Sequence, residues 1–237
     1  MAPSLVLAQQ APSPTETTSI QSSGDLPSDW LEAFDRLHTT DLNQAIANLN
    51  QAKTQALATN DVDLLVAYAQ RVIAHFRYVD DLPETIEQIE DFLSRNQSRA
   101  TPEQRRYLQV LLAALHIQDQ TDLAEAKRLL TTLDQDPELA RHRALIKKTL
   151  GDLYQTLGQY PQALTAYTEA LRLDRQPAFR ARVYNNLGNV ASFLEDWDQA
   201  IEHYTEAIEI YQTLGYVSDQ ISVLANLGPS YRANGEP

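Results

Sequence analysis

The chain has 237 residues with 19 Lys plus Arg against 32 Asp plus Glu, a net charge of −13, and this acidic balance argues against a nucleic-acid backbone as partner. Hydrophobic residues make up 43%, enough to bury a core and to exclude gross disorder, while the absence of cysteine removes disulfides, thiolate nucleophiles and cysteine-type zinc sites together. Glycine is scarce at seven, and Leu, Ala, Gln, Glu and Asp dominate, a helix-forming mix that points to an all-α protein.

Residues 1–28 are rich in Ser, Thr, Pro and Gln and are expected to form a disordered tail. Leu5 to Ala8, followed by Gln9 and Gln10, reads either as part of that tail or as the remnant of a clipped secretory signal peptide, with Val6 and Ala8 before the cut. No basic region precedes it, since the first positive side chain is Arg36. The compartment is therefore left between cytoplasm and export to a periplasm. No later stretch approaches the ~18 uninterrupted apolar residues of a membrane span.

Over 29–143 the pattern is helical but faint. Leu42, Ala45, Leu49 and Ala52 line one helix face, Leu82-Pro83 opens a helix whose stripe continues through Ile89 and Phe92, and Thr101-Pro102-Glu103-Gln104 is a capping box with Pro in the first turn. Ala113, Ala114, Ile117, Leu123, Ala126, Leu130 and Leu133 continue the apolar spacing. Asp136-Pro137-Glu138 resembles another helix start.

The second half repeats. Residues 145–173 set over 182–210 place Leu150-Gly151 on Leu187-Gly188, Ala163 on Ala200, Tyr167 on Tyr204 and Ala170 on Ala207, each pair 37 apart, and Leu227-Gly228 with Tyr231 opens a third copy 40 residues on. Leu150, Gly151 and Tyr154 share one helical face, and Ala163, Tyr167 and Ala170 share another. Gly151 and Ala163 are expected to let the two backbones approach closely, with Tyr154 and Tyr167 filling the space around them. Gly158 suits a left-handed helix end and Pro161 the first turn of the second helix. One such hairpin cannot bury both its faces, so stacking is required.

These residues resemble the tetratricopeptide repeat (TPR), with its Trp-x2-Leu-Gly-x2-Tyr, Ala-x3-Phe and closing Pro on a period of about 34 residues. The Trp place holds Lys147, Tyr184 and Leu224, the first-helix Tyr place holds Tyr154, Ala191 and Tyr231, and the closing Pro is absent at Arg175 and Gln212. The longer periods are similar to those of kinesin light chain and of bacterial TPR proteins carrying CHAT-type peptidase domains. The resemblance implies a right-handed α-solenoid, a superhelix of stacked antiparallel hairpins. Two clear repeats occupy 144–220, degenerate TPR-like hairpins 29–143, and 221–237 the first helix of a further, truncated repeat. Pro229 falls inside that helix, where it should kink it or cost about 3 kcal/mol.

Catalytic or metal chemistry finds little support, and no cofactor is expected. His38, His75, His116, His142 and His203 never pair at ligand spacing, and no HExxH, nucleophile elbow or phosphate loop occurs. Asp80-Asp81 and Glu195-Asp196-Asp198 are read as helix caps in turns rather than acid/base pairs. Charge is uneven: −9 over 1–98, +3 over 99–182 and −7 over 183–237. This is either a solvated surface or a device that steers a basic partner to the acidic end.

The resemblance also places a binding surface, because the first helix of each TPR lines the concave face. The corresponding stripe is Arg182, Asn185, Asn189 and Ser192 in the best copy, and Leu145, Lys148, Asp152 and Gln155 in the copy before it. Ser222, Ala225 and Arg232 form it in the copy after, with Asn186 and Asn226 bordering. Asparagine both donates and accepts, so it can hold a peptide backbone, or it can cross-link neighbouring helices. A basic clamp for a carboxylate is disfavoured, because the copy upstream presents Leu108, Leu111 and Leu115. Three functions are thus carried forward: a non-catalytic scaffold for a protein or peptide, the sensor segment of a longer protein with an effector such as a CHAT-like domain, and a self-assembling array through exposed terminal helices. None involves nucleic acid or membrane insertion.

Overall fold

The computed structural model describes residues 42–75, 82–96 and 98–235. The expectations for the N-terminal tail, His38 and Asp80-Asp81 lie outside them. Ten α-helices follow one another among the described residues. They are α1 (Leu42–Thr59), α2 (Val62–His75), α3 (Leu82–Arg95), α4 (Pro102–Asp119), α5 (Leu123–Asp134), α6 (Arg143–Thr156), α7 (Tyr160–Leu173), α8 (Pro177–Phe193), α9 (Trp197–Leu214) and α10 (Val217–Ala233).

The boundaries have local causes. At α4 the Gln104 N–H donates to Thr101 Oγ1 at 3.1 Å while Gln104 Oε1 accepts from the Thr101 N–H at 2.9 Å, a complete capping box. Gly158 takes φ +68° between α6 and α7, and Pro161 sits in the first turn of α7. Asp136-Pro137-Glu138 corrects the sequence expectation. Asp136 Oδ1 accepts from the Glu138 N–H at 2.9 Å and starts a 3-10 turn, Pro137–His142, rather than α6 itself. α10 runs through Pro229 without interruption, so the missing N–H is tolerated inside the helix.

The helices alternate in two layers. Each even-numbered helix touches the next even one, from α2 to α10, and each odd-numbered helix packs on the helix that follows it. The pairs α4/α5, α6/α7 and α8/α9 close as hairpins. The result is an α-solenoid with the even helices side by side. The lengthening of the step from 37 to 40 residues has a plain source: α9 has 18 residues where α7 has 14, about one extra turn. Leu108, Leu111 and Leu115 depart from the expected open stripe. They are buried in one cluster with Leu49 of α1, Tyr68 of α2 and Ile89 of α3, because the helices before α4 cover that face.

Each repeat is locked by a tyrosine ring on a glycine. A Cβ built on Gly151 would lie 2.4 Å from Tyr167 Cε1, and one on Gly188 would lie 2.6 Å from Tyr204 Cδ1. The space vacated by the missing side chain is therefore filled by an aromatic ring from the second helix. Tyr167 is fully buried and Tyr204 nearly so. Lys147 ties three helices together, its Nζ lying 2.8 Å from Asp134 of α5 and 2.8 Å from Glu169 of α7.

Gly151→Ala and Gly188→Ala should each lower unfolding free energy by about 1–3 kcal/mol, because the overpacking outweighs alanine's better helix propensity of about 1 kcal/mol. Urea unfolding followed by circular dichroism checks this, and a stabilised variant would refute it. A second expectation concerns alkaline pH. Burial pushes the Tyr68 hydroxyl up from 10.0 to about 12, and burial raises Tyr167, Tyr204 and Tyr211 as well. A phenol that holds its proton more tightly when folded contributes stability that is complete below its unfolded value and lost as pH climbs to the folded one. Tyr68→Phe should lessen that loss by at most about 1.4 kcal/mol per pH unit, measured by urea unfolding at about pH 8 and about pH 11.

Candidate functional site

The predicted groove stripe lies on α6, α8 and α10, three adjacent even helices. Lys148, Asp152, Gln155, Asn185, Asn186, Asn189, Ser192 and Asn226 are half-buried, a setting where donors and acceptors are normally paired. Two clusters form. In the first, the Asp152 carboxylate accepts from Lys148 Nζ at 2.7 Å, from the Tyr167 hydroxyl at 2.8 Å and from Asn186 Nδ2 at 2.9 Å, which fastens α8 to α6. Gln155 Oε1, 3.0 Å from the same hydroxyl, is an alternative acceptor.

The second cluster fastens α10 to α8. Asn189 Oδ1 accepts from the Tyr204 hydroxyl at 2.8 Å, and Asn226 Nδ2 lies 3.2 Å from Asn185 Oδ1 and 3.4 Å from Asn189 Oδ1. Ser192 Oγ sits 3.3 Å from the Tyr204 hydroxyl and 3.2 Å from Ser230 Oγ. The two clusters follow one rule. Tyr167 reaches the residues 15 and 12 places before it, Asp152 and Gln155, and Tyr204 likewise reaches Asn189 and Ser192. Sequence reasoning assigned both tyrosines to packing alone and omitted Ser230. The available signal was that tyrosine, not phenylalanine, stands at the aromatic place of both copies.

Three groups on this surface make no side-chain hydrogen bond or ion pair as donors among the described residues. Arg182 is exposed, and the Nδ2 groups of Asn185 and Asn189 donate to nothing among the described residues. Lys148 is not available as a free cation, since Asp152 holds it. Ser222, Ala225 and Arg232 on α10 are exposed.

The histidines with described side chains lie apart. His116 sits 3.2 Å from Thr121 Oγ1 and 3.4 Å from Glu90, His142 stacks on Tyr107, and His203 lies beside Tyr184. Asp196 caps α9 by accepting from the Gln199 N–H at 3.3 Å, so the acidic cluster around it serves a helix end. Among the described residues no group of three His, Cys, Asp or Glu is placed to hold a metal ion, and no helix is long and apolar enough to cross a membrane.

Residues 144–177 and 181–214 each match the tetratricopeptide repeat family. No curated protein sequence matches the chain significantly. Among solved structures, BtubC (BKLC) from P. vanneervenii is 24% identical with a TM-score of 0.58, the match covering 89% of this chain and 82% of that one. The thermophilic TPR protein TTC0263 from Thermus thermophilus is 15% identical with a TM-score of 0.60, over 85% of this chain and 99% of that one. A kinesin light chain-type protein of nearly identical TPR-like repeats from P. anserina is 18% identical with a TM-score of 0.52, over 72% and 85%. Likeness at these identities speaks to the fold. Residues 144–177 and 181–214 are therefore tetratricopeptide repeats, carried by a chain that folds as an α-solenoid of the kind TPR proteins form.

Proposed function

We propose that this chain is a non-catalytic scaffold that binds a peptide or protein segment on the concave face formed by α6, α8 and α10. The observation that carries the reading is the pair of amide donors at Asn185 and Asn189 that bond to nothing among the described residues, half-exposed beside Arg182 on a surface where Lys148, Asp152, Asn186, Ser192 and Asn226 bond to other side chains. The two asparagines are one turn apart on α8, a rise of about 6 Å, close to the roughly 6.6 Å between alternate residues of an extended chain. A segment lying along α8 can thus accept from both through its backbone carbonyls, which gives affinity without demanding sequence.

Arg182 adds a carboxylate or carbonyl contact at the edge. The surface is a poor fit to nucleic acid, because the chain is strongly acidic and Lys148 is already paired. Domain assignment follows the same reading: the two clear repeats over 144–220 together with α10 form the binding unit, and the described helices α1–α5 are degenerate hairpins that extend it.

Arg182→Glu combined with Asn185→Ala disturbs little of the helix cross-linking, as Asn189 still accepts from Tyr204 and Asn226. In affinity capture from the source organism's lysate, this variant should recover specific partners at least about tenfold less well than the parent chain, with an unchanged circular dichroism spectrum. Capture of the same proteins at the same yield would refute the site.

A further inference from the structure

The polar stripe on α8 ends in an aromatic ring. Arg182, Asn185 and Asn189 are followed one turn on by Phe193, the last residue of the helix, which continues the same face. Its ring stacks on that of Tyr160, the first residue of α7, with centroids 5.4 Å apart and planes 7° from parallel. Phe193 is nonetheless 61% exposed, so Tyr160 covers one face of the ring and leaves the other open. The repeat does not require an aromatic here. The equivalent places hold Thr156 in the copy before and Ala233 in the copy after.

The open ring face lies in negative surroundings. A helix C-terminus carries a partial negative charge, and Phe193 ends α8. Two residues on, Glu195 is exposed at φ +60°, so a carboxylate stands at the left-handed place that Gly158 fills in the copy before. Residues 183–237 carry eight acidic groups and a single basic one, Arg232. The face of a phenyl ring is the negative part of its quadrupole, and what such a ring attracts in these surroundings is a cation. The solenoid uses the same contact elsewhere: the Arg180 guanidinium lies 5.4 Å from the centroid of Tyr184, and Lys127 Nζ 5.6 Å from that of Tyr154.

We propose that Phe193, backed by Tyr160, is the subsite for a basic side chain of the segment bound along α8, with arginine preferred because its flat, weakly hydrated guanidinium stacks on a ring. The inference rests on the groove reading and deepens it by naming what the segment carries. Phe193 lies 11 positions after Arg182, a rise of about 16.5 Å that an extended chain spans in about five residues. The segment therefore sets a carboxylate at Arg182 and a basic residue about five places along, with the backbone between them meeting Asn185 and Asn189.

Random peptides of about ten residues, long enough to span both ends, are displayed on phage and selected on the full chain, then synthesised and their affinities read by fluorescence anisotropy. Groove peptides are those that the variant combining Arg182→Glu with Asn185→Ala no longer binds. They should contain Arg or Lys, and replacing that residue by Gln should weaken binding at least about fivefold. Phe193→Ala and Phe193→Leu should each cause the same loss with an unchanged circular dichroism spectrum, and on either variant the change to Gln should have no further effect. Groove peptides that lack a basic residue, or that bind Phe193→Leu as tightly as the parent chain, would overturn the subsite and leave the groove intact. A selection that yields no peptide dependent on Arg182 and Asn185 would overturn both.

Discussion

The structure depends on a tyrosine ring packed against a glycine of the facing helix. Because Gly151 and Gly188 lack a Cβ, the rings of Tyr167 and Tyr204 enter the facing helix at distances no other residue would permit. The ring sets the separation within each hairpin. Its hydroxyl then emerges on the even-helix surface and fixes Asp152 or Asn189, and those groups bond to Asn186 or Asn226 of the next even helix. Packing inside a repeat and stacking between repeats are thus coupled through one side chain. Such coupling suits an array whose units contact only their neighbours.

Much of this was legible in the sequence. Gly, Ala and Tyr recur at helical spacing because close packing leaves few residue types that fit, and this marked both the hairpins and their register. The capping box at Thr101 and the left-handed turn at Gly158 were equally plain, since each depends on local chemistry. What escaped depended on tertiary surroundings. Spacing placed Asn185, Asn186 and Asn189 near one face, but only the neighbouring helices decide that Asn186 is consumed by Asp152 while two other amide donors stay unused. Leu108, Leu111 and Leu115 were assigned to a surface by analogy with later copies, and α2 and α3 bury them. Asp136 caps as expected, yet a 3-10 turn follows because α6 begins only after the chain has crossed beside α4.

Charge shows the same division between count and placement. The middle of the chain is the positive segment, but its cations are largely spent internally. Arg106 pairs with Asp136 and Glu138, Arg141 with Glu103, Lys147 with Asp134 and Glu169, and Lys148 with Asp152. Exposed pairs such as Arg141–Glu103 add little stability. Their consequence is to leave Arg182 as an exposed positive group beside the Asn185 and Asn189 amide donors.

The central claim is that partners engage the even-helix surface and not the outer layer, and site-specific photo-crosslinking tests it most directly. A benzophenone side chain placed at position 182 on α8, and separately at the exposed position 206 on α9, would be irradiated in lysate and the adducts identified. Adducts from position 182 that are absent from position 206 are the expected result. Adducts from position 206 with none from 182 would contradict it and place the binding surface on the outside of the solenoid.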